Sequence, residues 1–384
     1  MRTGGMNYVG EYDVVVVGAG PVGATVAREA AKGGARVLLL EKRKSPIYPE
    51  RCAGIISPRC LTEANVDGGV VVRRIRGGYI HAPDGRSLRI EASEPRAVVI
   101  DRHLFNERLL RAAREAGAEY MPLTRACFLE DRTLFLEREG RPLKVRAGII
   151  VGADGSGSEV ARWVGFPPPS RYLLGIQAIV PYDPERGDFV EIFLDKDIAP
   201  GFFAWVVPAE EGVARVGLAT HEARGIHYRL KKLLEKLNSQ PIKVRSGFIP
   251  IGARARTVKG RVALVGDAAA QAKPTTGGGL YPGIVAAKVL GEVLCGDHPL
   301  SLYERRWRSR LSHELRLGMM IRRIAERLGD REISYILAFL GRKKFLRMIG
   351  RLGDIDHPSV LLKALSRDWW EMWKSLKLRR RPAL

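Results

Sequence analysis

Cysteine is scarce in this chain: four in 384 residues, at 52, 60, 127 and 295, and none in a C-x-x-C pair. A zinc site built on paired cysteines is therefore disfavoured. Disulfides are rare in the cytosol, though hyperthermophiles form them, so a bond from Cys52 to Cys60 or Cys295 stays open. Long apolar runs are missing too. They are short, such as VVVV at 14–17, whereas spanning a bilayer takes roughly 20 apolar residues. The opening MRTGGMNYVGEYD has no apolar stretch of the kind a secretory signal needs. The expected compartment is the cytosol, with a peripheral position on the cytoplasmic membrane face as a further expectation. Asn (four) and Gln (three) are few, which with abundant arginine fits adaptation to heat.

Negative charge is in deficit. Lys and Arg number 64 against 42 Asp and Glu, a formal charge of +22. Residues 301–384 hold 21 of the bases and 9 of the acids, and so carry +12 of the excess. Such a field favours polyanions: nucleic acid, an anionic membrane surface or a phosphorylated substrate. The plain alternative is a solvated, heat-adapted surface. No recognised nucleic-acid module is present, so no nucleic acid is expected as partner. With 46% hydrophobic residues, the chain can build one large discontinuous domain with lobes.

What is present begins at EYDVVVVGAGPVGATVAREAAKGGARVLLLEK, a βαβ unit. Residues 12–17 form a nearly all-apolar strand, as in the interior of a parallel sheet. Gly18, Gly20 and Gly23 spell G-x-G-x-x-G. The first permits a tight turn, the second lets a pyrophosphate approach the backbone, and the third lets the helix at 21–33 pack close on the strand. Free N–H groups at that helix start hold phosphates. The second strand, 36–41, ends in Glu41, which can accept both hydroxyls of an adenosine ribose and would repel a 2′-phosphate. Two later segments choose the kind of dinucleotide. IIVGADGSG at 149–157 is a buried strand followed by Asp154-Gly155. VALVGD at 262–267 is a strand ending in Asp267, followed by a Pro/Gly-rich turn and an Ala-rich helix at 280–294. Asp267 suits the ribitol hydroxyls of a flavin, and the N–H groups at Gly279 and Leu280 suit its N1/O2 edge. FAD is the expected cofactor.

These three segments in this order resemble the glutathione-reductase-type flavoproteins of the aromatic-hydroxylase group. Within it, RCAGIIS at 51–57 and PGFFAWVVP at 200–208 resemble the geranylgeranyl reductases, nearest the archaeal enzymes that saturate the isoprenoid chains of ether lipids. The resemblance covers roughly residues 10–300. It implies an α/β fold with a Rossmann-type FAD-binding domain (10–75, 95–172, 245–298) and an antiparallel β-sheet substrate lobe (76–94, 173–244); beyond it, 299–384 reads as a basic helical C-terminal region. It implies that Val22 lies along the pyrophosphate and that Cys52 and Ala53 contact the cofactor near the flavin. Arg102 would reach the cofactor, and Ala126 would offer a backbone contact around the adenine. The family's segment after the cysteine usually adds a glycine contact, and here Ile55 occupies that place. The substrate motif is usually P-x-x-Y-x-W-x-F-P. Here Phe203 replaces the Tyr and Val207 the Phe, which removes a tyrosine donor at 203.

Between the DG and GD segments, period-2 alternation predicts an antiparallel sheet. Phe202, Phe203 and Trp205 are expected to line an apolar tunnel for a polyprenyl chain, a packed sheet core being the alternative. Helices in 301–384, with interleaved Trp, Leu and Arg, fit a membrane interface. The expected activity is FAD-dependent hydrogenation of geranylgeranyl C=C bonds in a phospholipid or diphosphate. Cys52 is the first candidate proton donor and Tyr281 the second. A flavin monooxygenase or halogenase on the same scaffold is the alternative, and a non-catalytic flavin-bound lipid-binding protein a third reading. No second nucleotide motif is visible, so NAD(P)H would bind transiently or a ferredoxin would dock on the basic surface.

Overall fold

The computed structural model describes residues 7–45 and 52–365. The strand Asn7–Val17 lies inside an eight-stranded sheet. It pairs in parallel with Val37–Leu40 on one side and Arg141–Gly152 on the other. Glu119–Met121 and Val262–Leu264 extend the parallel array outward. Helices Pro21–Lys32, Arg102–Glu115 and Leu280–Leu294 cover one face, packing on Val14 and Val16. Val15 and Val17 face the other way, against Leu134, Leu136 and Val145 of an antiparallel flap built from Thr124–Glu130, Thr133–Arg138 and the start of Arg141–Gly152. Burial on both faces is why this strand is apolar without alternation.

A second sheet of seven strands runs in the order Lys243–Ile251, Arg171–Pro181, Val213–Thr220, Ala204–Pro208, Phe189–Phe193, Gly77–His81, Ser87–Glu91. Helix Ile226–Lys236 covers one face through Leu230, Leu233 and Leu234. Two details depart from the sequence expectation. Lys243–Ile251 pairs residue by residue with Arg171–Ile179, so the boundaries drawn at 172/173 and 244/245 cut through strands of this sheet. Phe189–Phe193 also pairs in parallel with Gly77–His81. The 77–91 hairpin arrives from a distant part of the chain, so no tight turn constrains its direction.

A third sheet joins Ile55–Ile56, Ala97–Ile100 and Val71–Ile75. Three helices follow: Ser301–Arg327, Asp330–Leu340 and Lys343–Leu352. Trp307, which the sequence pattern assigns to a membrane-facing set, is fully buried and donates its indole N–H to Thr257 Oγ1 at 2.9 Å. Tyr303 beside it is equally buried and donates to the Leu264 carbonyl. Both aromatics anchor the long helix to the end of the parallel sheet. The Trp-rich stretch DWWEMWKSLKLRRRPAL lies outside the described residues. Among the described residues, no helix is long and apolar enough to cross a membrane.

Candidate functional site

The glycine turn after the first strand has the packing its three positions call for. Gly18 sits at φ +104°, and a Cβ there would lie 2.5 Å from the Ala153 carbonyl oxygen. A Cβ on Gly23 would fall 1.9 Å from the Gly18 oxygen, so only glycine lets the helix approach. A Cβ on Gly20, by contrast, would meet no atom within 4 Å. That is an open cradle at a helix N-terminus, shaped for a phosphate. Val22 turns its side chain away from this turn and against Gly266 and Gly283. Only its backbone remains to line a pyrophosphate.

Glu41 follows Val37–Leu40 and is 9% exposed. Its carboxylate accepts the N–H groups of Ala19 (3.2 Å) and Arg43 (3.1 Å). Burial raises its pKa, and those backbone bonds work against the rise. Thr124 N–H donates to the Glu41 carbonyl, which draws the start of the strand carrying Ala126 to this acid. The buried Tyr120 hydroxyl has no hydrogen-bond partner among the described residues. Its pKa is pushed up to about 12 by burial and then by the Glu41 charge. Tyr120 carried no signal in the sequence, because only its pairing opposite Leu39, two residues before Glu41, brings it to this acid.

At the other end of the cradle, Val262–Leu264 stops before Asp267, which falls in a short 3-10 turn, Gly266–Ala269. A Cβ on Gly279 would lie 2.5 Å from Asp267 Oδ1, so this carboxylate abuts the turn that starts Leu280–Leu294. Burial raises the Asp267 pKa, opposed by the Arg102 charge. Arg102 opens its helix behind the Asp101 cap, and its buried Nη1 has no hydrogen-bond partner among the described residues. Asp154 behaves differently. Its Oδ2 caps Glu159–Val164 by accepting the N–H groups of Glu159 and Val160, while the buried Oδ1 has no hydrogen-bond partner among the described residues. Open space at Gly20, a buried Arg102 nitrogen without a partner among the described residues, and the carboxylates of Glu41 and Asp267 fit an extended, hydroxyl-rich dinucleotide.

The cysteine segment meets the second sheet here. Cys52 is exposed, and its Sγ accepts the Gly54 N–H at 3.4 Å. The Cys52 carbonyl accepts Gln177 Nε2 (3.3 Å), and Gln177 Oε1 accepts the Trp205 indole N–H (3.2 Å). Gln177 is 4% exposed. The Ala53 carbonyl accepts Nη1 of the buried Arg215 at 2.9 Å. Gly54 is at φ +73°, and a Cβ there would strike that guanidinium. Ile55 pairs with Val99 in the third sheet and packs beside Val207 and Trp205. Phe203 stacks on Phe202 (4.2 Å) and meets Trp205 edge-on (6.1 Å). Phe202 lies near Gly277, in the turn before Leu280–Leu294. All three aromatics are half-buried. Gln177 and Arg215 were invisible in sequence because each sits in an ordinary alternating strand.

The four cysteines are free. Cys60 is buried behind the Ser57 cap, and burial pushes its pKa up to about 12. Cys295 fills the space over Gly33. No three His, Cys, Asp or Glu side chains gather as a metal site among the described residues.

Tyr281 brings in a segment that carries no motif of its own. Its hydroxyl lies 3.1 Å from His357 Nε2. The neighbouring Asp356, with a side chain 1% exposed, pairs with Lys273 Nζ at 2.6 Å and accepts the Ser57 hydroxyl. Lys273 belongs to the turn after Asp267, and Ser57 to the cysteine segment. The C-terminal segment 354–357 thus ties together the two loops that carry the site.

A family model described as an FAD binding domain matches residues 11–297. The digeranylgeranylglycerophospholipid reductase of Methanosarcina acetivorans is 32% identical, over 94% of this chain and 95% of its own. The digeranylgeranylglycerophospholipid reductase 1 of Methanopyrus kandleri is 33% identical, over 90% and 99%. Among solved structures, a geranylgeranyl bacteriochlorophyll reductase-like protein of Thermoplasma acidophilum superimposes with a TM-score of 0.85 at 25% identity, covering 97% of this chain and 99% of its own. The p-nitrophenol 4-monooxygenase of Pseudomonas putida shares the fold, with a TM-score of 0.72 at 19% identity over 90% and 97%.

Proposed function

We propose, on the premise that this chain belongs to the FAD-binding family and within it to the digeranylgeranylglycerophospholipid reductases, that it is an FAD-dependent reductase of geranylgeranyl C=C bonds in archaeal-type ether lipid synthesis. One structural observation carries the reading. Gln177 links Trp205 of the substrate motif to the Cys52 carbonyl, so the apolar wall and the cysteine segment form one site beside the dinucleotide crevice. The monooxygenase or halogenase alternative rests on likeness of fold alone.

Gly18, Gly20 and Gly23 with the following helix would hold the pyrophosphate, and Glu41 with the strand of Ala126 the adenosine. Arg102, Asp267, Gly279 and Leu280 would hold the flavin half. When bound in its reduced form, FAD supplies the hydride. The chain's own part is to exclude water, align the alkene and deliver a proton. An isolated alkene has no carbonyl to polarise, so alignment in a dry apolar slot carries much of the work. Phe203 and Trp205 are assigned to that slot. Two acids stand at the site, the Cys52 thiol and the Tyr281 hydroxyl, with Cys52 the more exposed. The substrate is a phospholipid or diphosphate bearing geranylgeranyl chains, presented at an anionic membrane surface. Electrons come from NAD(P)H bound transiently or from a ferredoxin on the basic surface.

The test is to reduce the yellow holoprotein anaerobically with dithionite, add a digeranylgeranylglycerophospholipid and follow its mass. A gain of two mass units per saturated bond is expected. Oxygen-dependent release of a hydroxylated or halogenated product would replace this reading with the alternative. In Cys52→Ala, FAD should stay bound and saturation should slow; an undiminished rate would remove Cys52 from the chemistry.

A further inference from the structure

We infer that His357, carried on the C-terminal segment, is a proton-relay residue that recharges Tyr281 during alkene reduction. The inference rests on the reductase reading above and deepens it: of the two acids named there it gives the proton to the Tyr281 hydroxyl and leaves the Cys52 thiol to shape the pocket.

Three observations carry it. The Tyr281 hydroxyl and His357 Nε2 are 3.1 Å apart, with the rings edge to face at 5.7 Å. The other ring nitrogen, Nδ1, lies 3.8 Å from Glu314 Oε1, within ion-pair reach of an imidazolium. A quarter of the His357 side chain is exposed, so water can reach it, whereas Glu314 is 15% exposed. Glu314 and Tyr281 thus flank the water-accessible imidazole, and the phenol lies at the start of Leu280–Leu294. Tyr281 is the second residue of that helix, next to the Gly279–Leu280 turn assigned to the flavin.

The segment is held by more than this one contact. Asp354 Oδ1 accepts the N–H groups of both Asp356 and His357. Asp356 is locked by Lys273 and Ser57. The charged and titratable neighbours are therefore Arg59 and Glu63 from Pro58–Ala64, Lys273 from the flavin-side turn, Glu314 from the long helix, and Asp354 and Asp356 from the segment itself. Burial raises the Tyr281 pKa, opposed by Arg59. The phenol is thus protonated at neutral pH, and its phenolate, once formed, is a strong base that a nearby imidazolium quenches.

The step balances as follows. The Tyr281 O–H bond breaks and its proton forms the new C–H bond at the alkene carbon that does not receive the hydride. The O–H electron pair stays on the phenolate oxygen, which then takes the proton from His357 Nε2. The imidazole regains a proton from water beside Glu314. Both electrons arrive with the hydride, so each saturated bond consumes one hydride and one proton.

The experiment is single-turnover oxidation of the reduced holoprotein by a digeranylgeranylglycerophospholipid, across pH and in D2O. In His357→Gln, FAD affinity and melting temperature should match the unaltered protein, while alkene reduction slows at least tenfold and its pH dependence flattens. Tyr281→Phe should slow it similarly, and adding His357→Gln to Tyr281→Phe should cost nothing further. Added imidazole should restore rate to His357→Ala. An unchanged rate in His357→Gln overturns the relay. So does a slowing that comes with lost FAD or lowered melting temperature and no imidazole rescue, because that outcome is a packing role. If the unaltered protein saturates no geranylgeranyl lipid, the reductase reading falls first and the relay with it.

Discussion

Gly20 and Gly23 separate cofactor binding from folding. Gly20 has φ −63° and ψ 175°, an extended conformation open to any residue, and no protein atom lies near a Cβ placed there. Gly20→Ala should therefore fold with an unchanged melting temperature yet bind FAD at least about tenfold more weakly, because the methyl stands where the pyrophosphate must approach. Gly23→Ala puts a methyl on the Gly18 carbonyl. It should lower the stability of the apoprotein itself, by about 1–3 kcal/mol or more. Fluorescence titration with FAD and thermal melts of both apoproteins check the pair, and equal effects on the two readouts would refute the distinction. Asp267 gives a pH prediction. Burial raises its folded pKa above the unfolded value of about 3.9. Its stabilising effect is then present below that unfolded value and lost as pH rises through the folded pKa. Glu41 and Asp154 shift the same way for the same reason. Apoprotein melting temperature should fall as pH rises above about 4, the unfolded value, and less steeply in Asp267→Asn, which should also bind FAD more weakly. An identical slope in the variant would show that Asp267 is not charged against its surroundings.

At the scale of elements, the sequence pattern was readable where it is local. Residues 12–41 announce strand, glycine turn, helix and acid within one stretch, and a helix predicted at 280–294 runs Leu280–Leu294. Pairing between distant strands left no such trace. Lys243–Ile251 alternates like its neighbours, and only its register with Arg171–Pro181 shows which sheet it joins. Trp307 misled for a related reason: amphipathic spacing reports that a helix has an apolar face, not whether protein or lipid covers it. The segment 354–357 reads as a break between helices, and its role emerges only from Asp356 meeting Lys273 and Ser57. That contact is testable. Lys273→Met would leave the Asp356 carboxylate buried without its counter-ion, a loss on the order of 3–5 kcal/mol, whereas Lys273→Met combined with Asp356→Leu should lose far less. Denaturant unfolding of the two variants measures the difference. If the double variant is as unstable as the single, the ion pair is not what seats the segment.

For the whole molecule, the charge has to be reconciled with a substrate that lives in a bilayer. The chain carries +22, with +12 of it in residues 301–384, and no described helix is long and apolar enough to span a membrane. Trp307 and Tyr303 are buried and contribute nothing to a lipid contact. The surface of the long helix offers Met320 and Ile324, both exposed, among arginines. Attraction to anionic headgroups is worth about 1 kcal/mol per basic residue near the surface. It is also screened, since the Debye length falls from about 10 Å at 0.1 M salt to about 3 Å at 1 M. The protein should therefore co-sediment with phosphatidylglycerol vesicles at 50 mM salt, release at 1 M, and ignore phosphatidylcholine vesicles at either. Retention at 1 M would instead assign the contact to apolar insertion, and truncation after residue 365 would then separate the described helices from the Trp-rich end of the chain. Failure to bind anionic vesicles at low salt would return the basic surface to a solvated face or to a soluble acidic electron donor. The lipid would then have to reach the Trp205 site without the protein's charge to guide it.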